Sequence, residues 1–189
     1  DSTFSIRMSN VGKHPRKLWF DSKSKDERSP INVPTQIKFL YGHMLEELVK
    51  LFVVMSGHDL TGQQKEVVVD SVVGHIDCII DEEVVDIKTA SGFAFNKFKH
   101  GTLRDDDAFG YLGQLAGYEE SEGTNKGGLL VINKESGELC FYRPEDLDKP
   151  NIRNKIKNIR TALKKSTPPV DYCFKPVLDG SKGNEKINK

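Results

Sequence analysis

Val72-Val73-Gly74-His75-Ile76-Asp77-Cys78-Ile79-Ile80-Asp81-Glu82-Glu83-Val84-Val85-Asp86-Ile87-Lys88-Thr89 is the stretch whose reading decides the fold. Its β-branched runs, Val72–Ile80 and Val84–Thr89, predict two strands joined through Asp81-Glu82. If those two residues make the turn, Ile80 pairs with Glu83, and counting back sets Asp77 opposite Asp86. Facing residues on one sheet face have Cβ atoms about 5 Å apart, and like charges there are destabilising. Asp86 and Lys88 are two apart, so they share a face. The apolar neighbours Val73, Ile76, Ile79, Val84, Val85 and Ile87 predict that both strands are largely buried. Two facing carboxylates in a buried sheet need a compensating cation, and a hard divalent ion with oxygen ligands supplies one. Two plainer readings stay open: both aspartates are solvated, or Lys88 alone neutralises one of them. The turn lacks Asn-Gly chemistry, and a slip of one residue would part the pair.

Upstream, Ile37, Leu40, Tyr41, Met44, Leu45, Leu48, Val49 and Phe52 recur at three- and four-residue steps, with Gly57 past the end, which predicts a helix. Its apolar stripe is centred near Met44 and Leu48, and its charged face holds His43, Glu47 and Lys50. Glu46 lies on neither side. It shares a flank with Gly42, Val49 and Val53, where a carboxylate is unfavourable unless something pairs with it. Gly42, one turn earlier, leaves room for close approach. A short strand is expected at Glu66–Val69, before the two above. A loop containing Phe93, Phe95 and Phe98 leads to a helix around residues 108–120. Leu129–Asn133 and Leu139–Arg143 read as a hairpin around Ser136-Gly137. A basic helix, roughly Ile152–Lys165, carries its apolar stripe at Ile152, Ile156, Ile159 and Leu163. The tail from Asp179 is rich in Gly, Asn and Lys and is expected to be mobile. The order is that of a mixed α/β chain forming a single domain over residues 1–189.

Composition excludes more than it assigns. Lys plus Arg and Asp plus Glu both number 28, so the formal net charge is zero. A strongly basic nucleic-acid binder is excluded, and any such site has to be local. Three cysteines, Cys78, Cys140 and Cys173, are too few and too scattered for a disulfide framework, which favours a reducing, intracellular setting. No apolar run approaches the roughly 20 residues of a membrane span, and the first residues show no signal-peptide pattern.

Taken in order, Gly42-x-x-x-Glu46, Gly74-His75-Ile76-Asp77 and Asp86-Ile87-Lys88-Thr89 resemble the motifs of the PD-(D/E)XK nuclease superfamily. Gln114-x-x-x-Tyr118 on the following helix is similar to the Q-x-x-x-Y signature of its RecB-like exonuclease branch, which includes phage, CRISPR-adaptation and mitochondrial genome-maintenance exonucleases. The resemblance spans roughly Met8 to Tyr118. It implies a restriction-endonuclease-like fold, a mixed central sheet flanked by helices, in an intracellular protein of viral or bacterial origin. It also implies a Mg²⁺- or Mn²⁺-dependent nuclease acting on single-stranded or free-ended DNA. Glu46, Asp77 and Asp86 would hold the metal, with the Ile87 carbonyl as a further ligand. Lys88 would orient or help deprotonate the attacking water and stabilise charge on the phosphate. Gln114 and Tyr118, one turn apart on one helix face, would contact DNA. A structure- or site-specific endonuclease, or a catalytically idle DNA-binding module, are the alternative outcomes on the same fold.

The N-terminal patch Lys13-His14-Pro15-Arg16-Lys17-Leu18-Trp19-Phe20 also resembles the family. Relatives with an iron–sulfur cluster carry Cys-Pro-Arg where this chain has His14-Pro15-Arg16, and a cysteine cluster near the C-terminus. Both are absent here, so a cluster is not expected. Arg16 is a candidate phosphate contact, because a guanidinium fork matches phosphate oxygens. A surface ion pair for Arg16, with Trp19 in the core, is the plainer reading.

Overall fold

The turn at Asp81-Glu82 forms as the spacing predicts, with φ of 48° and 69° at the two residues. Two successive positive φ values give the tight hairpin whose twist matches its strands. It joins β4 (Cys78–Ile80) to β5 (Glu83–Ala90) with Ile80 opposite Glu83 and Cys78 opposite Val85. This is a computed structural model, and it describes residues 4–23, 30–170, 176–178 and 185–187. The run Val72–Ile80 is not one strand: Asp77 interrupts it between β3 (Val72–Ile76) and β4. A carboxylate turned into the site takes Asp77 out of the ladder, and β3 pairs instead with β2 (Lys65–Val69).

The central sheet has five strands in the order β1 (Leu60–Thr61), β4, β5, β6 (Gly127–Asn133), β7 (Leu139–Tyr142). Strands β5 and β6 are parallel and the other pairs antiparallel, so the sheet is mixed, as expected. The parallel pair requires a crossover, made by α4 (Gly92–Lys99) and α5 (Tyr111–Glu122). The stretch read as a loop around Phe93 is therefore partly α4. Phe95 and Phe98, three apart, are buried and hold it, while Phe93 points outward.

Each sheet face carries its own apolar cluster. On one, Leu129 and Val131 of β6 pack with Leu115 and Tyr118 of α5 and with Ile156 and Ile159 of α6 (Ile152–Leu163). On the other, Cys78, Val85, Ile87 and Ile132 pack with Val49 of α3 (Val33–Met55). The basic-aromatic patch is largely helical: α1 (Met8–Val11) precedes α2 (Pro15–Lys23), which starts on a proline and buries Leu18 and Trp19. Periodicity located α3 correctly but not its buried side. Only Val49 and Lys50 of α3 are buried, and Ile37, Leu40, Tyr41, Met44, Leu48 and Phe52 are exposed. Lys50 thus leaves the charged face assigned to it. Of the tail expected to be mobile, residues 179–184 and 188–189 lie outside the described residues. Glu185–Ile187 pairs as β9 with β8 (Pro176–Leu178).

Candidate active site

Strand β5 presents Asp86 and Lys88 on one face because side chains alternate along a strand. Asp86 is fully buried, and its Oδ2 lies 2.5 Å from Lys88 Nζ. Among the described residues, that ammonium is what serves this oxygen. Its other oxygen, Oδ1, accepts from Gln114 Nε2 at 3.3 Å, and the same amide donates to the Tyr118 hydroxyl at 2.9 Å. Asp77 reaches the same place from the gap between β3 and β4. Its Oδ2 accepts the Ile87 amide at 2.8 Å, a bond a strand neighbour would otherwise make. Burial, followed by the adjacent Asp86 charge, pushes the Asp77 carboxyl up to about 7, against the opposing pull of Lys88 and the Ile87 N–H. Burial opposes the charge on Lys88, but Asp86 and Asp77 more than offset it and hold its pKa well above the lysine range. The Lys88 ammonium also stands 5.1 Å from the centre of the Tyr111 ring.

Glu46 approaches from α3 on the opposite side. Gly42 places the helix beside β5: a Cβ there would lie in ordinary contact, 3.7 Å from Thr89 Oγ1, so the approach does not require glycine. Glu46, one turn on, is bound by Lys50 Nζ at 2.6 Å and by Gln64 Nε2 at 3.3 Å. Lys50 is itself buried and also holds Glu47 at 2.9 Å. Glu46, Lys50, Asp77 and Asp86 all act on the buried Cys78 thiol, which burial pushes up to about 12. Cys78 is a core thiol. The structure therefore gathers Asp77, Asp86 and Lys88 and sets Glu46 nearby, engaged by Lys50. Among the described residues, no group of three His, Cys, Asp or Glu side chains is placed to hold an ion. The donor set still fits one. Two adjacent buried carboxyl groups, Asp77 with its pKa raised, share one ammonium, a deficit of positive charge that a hard cation corrects.

Gln114 and Tyr118 are turned inward, 7% and 2% exposed, and support Asp86. Their edges line a cleft of about 520 Å³ beside Asp77, together with Ser5, Arg7, Ser9, Ser71 and His75. His75 borders the site, exposed, with Nε2 3.7 Å from Glu66 Oε2. Arg16 does not line this cleft. Its guanidinium donates to the Pro169 carbonyl and lies 5.3 Å from the Phe20 ring centre, in the packing between α2 and the segment after α6. Trp19 is in the core, and its Nε1 donates to the Lys165 carbonyl at 2.9 Å. Sequence reasoning missed Lys50, Gln64 and Arg7. Lys50 carried a usable signal, since it stands one turn after Glu46, whereas Gln64, with its φ of 52°, carried none.

No protein-family model matches this chain, and no curated protein matches it. Solved structures do. An alkaline exonuclease (LHK-Exo) from Laribacter hongkongensis superposes with a TM-score of 0.56 at 12% identity, over 84% of this chain and 87% of the other. The same enzyme in complex with dAMP gives a TM-score of 0.54 at 12% identity, with the same coverage. A phage-related exonuclease from Haemophilus somnus gives 0.55 at 12% identity, over 85% of this chain and 92% of its own. The chain shares the fold of these exonucleases.

Proposed function

We propose that this chain is a Mg²⁺- or Mn²⁺-dependent deoxyribonuclease, an exonuclease working on single-stranded or free-ended DNA. One observation carries the reading: Asp77 and the buried Asp86 bring two carboxyl groups to one place with the single ammonium of Lys88 between them as counter-charge. A structural ion pair would not need the second carboxylate. Asp77 and Asp86 would hold the metal, and Glu46 would complete the set from α3, with Lys50 keeping its place in the metal-free chain. The Ile87 carbonyl would join them: the N–H and C=O of one strand residue point the same way, and the Ile87 N–H points at Asp77. When bound, the ion supplies an activated hydroxide and a Lewis acid for the phosphate.

The chain's own groups do the rest. Gln114, backed by Tyr118, fixes the Asp86 carboxylate. Lys88, kept protonated at Nζ by two aspartates, orients the attacking water and offsets charge on the phosphate. The cleft beside Asp77, with Arg7 and His75 on its wall, would receive the DNA strand. Supporting the exonuclease mode are the fold shared with exonucleases and the Gln114-x-x-x-Tyr118 pair. The test is end-labelled linear DNA beside covalently closed circles, each with Mg²⁺ or with EDTA. Linear DNA should shorten to small products only with metal, while circles survive much longer. Circles cut as fast as linear strands would establish an endonuclease, and no cleavage of either would leave an idle binding module.

A further inference from the structure

The side of α3 turned away from the site carries a regular pattern that the described structure leaves largely exposed, with the Tyr41 hydroxyl donating to the Lys134 carbonyl at 3.5 Å at its edge. Ile37, Tyr41, Met44, Leu48, Leu51 and Met55 follow one another at steps of four, three, four, three and four. At 3.6 residues per turn all six fall within about 40° of a single line. Their exposures run from 38% to 74%. Gly42, Glu46 and Val49, which face β5, lie on the opposite side. A helix apolar on two opposed sides is one that two bodies bury. An unbroken four–three repeat is the spacing that a second helix fills with its own side chains. The 23 residues of α3 give a seam roughly 34 Å long.

We propose that this face of α3 is a pairing seam through which two copies of the chain associate about a two-fold axis. Charge decides among the occupants. Lys38 and Lys50 are the only Lys or Arg on α3, and Lys50 is tied to Glu46 and Glu47, so the face offers nothing to DNA phosphates or anionic lipid. Only Lys38 and Glu47 flank the seam, one of each sign, so two copies meet without repulsion. The whole chain is neutral, with 28 residues of each charge, which removes the long-range repulsion that keeps many proteins monomeric. A two-fold contact uses one patch twice and needs it to suit itself, as a wholly apolar stripe does. From Phe52 the apolar surface continues into a groove of about 410 Å³ lined by Ile80, Leu130, Leu139 and Phe141. The charged side chains on that groove are internally paired, Glu83 with Arg143 and His58 with Asp81.

Sedimentation equilibrium of the purified chain, over about a hundredfold range of concentration, reads the result by mass action. The wild type should be dimeric and stay so in high salt. Met44→Glu with Leu48→Glu should sediment as a monomer with its helical circular dichroism intact, while Phe93→Glu, an exposed position on α4, should remain dimeric. Oxidative cross-linking between tagged and untagged copies gives a second reading, with cysteines at 44 and 48 in a Cys140→Ser, Cys173→Ser background. Disulfides joining the two kinds of copy are expected, and their absence overturns the proposal even where the charged variant misfolds. A wild type monomeric throughout, as when the chain's own tail or another protein covers the seam, also overturns it. So does a dimer indifferent to the seam substitutions.

Discussion

Asp77 is the residue where burial, charge and function meet. With its folded pKa raised to about 7 by burial and by Asp86, against 3.8 for the unexceptional group, the protonated form is the one the metal-free fold prefers. The stability this contributes is full below the unfolded value and is lost as pH rises from about 4 through about 7. Metal-free protein should therefore melt lower at pH 8 than at pH 5, and Asp77→Asn should remove much of that difference and raise the melting temperature at pH 8 by a few degrees. Mg²⁺ or Mn²⁺ should raise the wild-type melting temperature, increasingly so above pH 7, because the ion displaces a proton. Asp77→Asn should lose most of this response, and an unchanged response would count against the site. Lys88 answers a different question. Lysine is not a ligand, so Lys88→Ala should keep metal binding and most DNA affinity measured in Ca²⁺. Single-turnover cleavage should fall on the order of a hundredfold or more, as for an interaction made in the transition state. Near-normal cleavage would reduce Lys88 to a counter-charge for Asp86.

At the scale of elements, the sequence was most legible where local chemistry decides. The Asp81-Glu82 turn set the β4–β5 register, and that register placed Asp77 against Asp86. The Ser136-Gly137 hairpin and the apolar stripe of α6 were equally plain, since short-range spacing fixes both. What could not be read rests on contacts between distant segments. Periodicity showed that α3 is a helix, but a helix with two apolar sides does not say which one its own sheet takes. The answer lies in Val49 packed on Val85 and Ile87. Lys50, read as solvated, is buried because two glutamates on its own helix accompany it. Helix α4 was hidden because Phe93 breaks the pattern that Phe95 and Phe98 keep. The docking of α1 was also invisible. A Cβ on Gly12 would lie 1.8 Å from the Gly110 carbonyl oxygen, and one on Gly117 would lie 2.0 Å from Met8 Sδ. Backbone at Gly110 cannot yield as a methionine side chain can. Gly12→Ala should thus destabilise by about 1–3 kcal/mol, the range for overpacking, and by more than Gly117→Ala. Denaturant titration of both variants checks the order.

At the scale of the whole molecule, neutrality bears on how the proposed nuclease would meet DNA. With 28 charges of each sign, no overall field draws in a polyanion, so affinity has to come from a few local contacts. A run of cations lies on α6, joined to the cleft through the β2–β3 turn. Ser71, in the β2–β3 turn, lines the cleft beside Asp77, and its neighbour Asp70 is held by Arg153 at 2.7 Å and by Arg160 through its carbonyl. Asp70, Arg153, Lys157, Arg160 and Lys164 then line a second groove of about 410 Å³. Arg153 and Arg160 are engaged there, but Lys157 and Lys164 form no ion pair among the described residues. On the proposed function, those two lysines would carry a strand away from the cleft. Each phosphate contact steepens the fall of log affinity with log salt by about 0.9 for duplex and about 0.7 for single strands. Lys157→Glu with Lys164→Glu should flatten that slope by between one and two, measured in Ca²⁺ so that binding is read without cutting. Cleavage at saturating DNA should be unchanged, because neither lysine reaches the reacting phosphate. An unaltered slope would mean that α6 is a solvated face like most basic helices, and that the strand leaves the cleft by the Arg7 side.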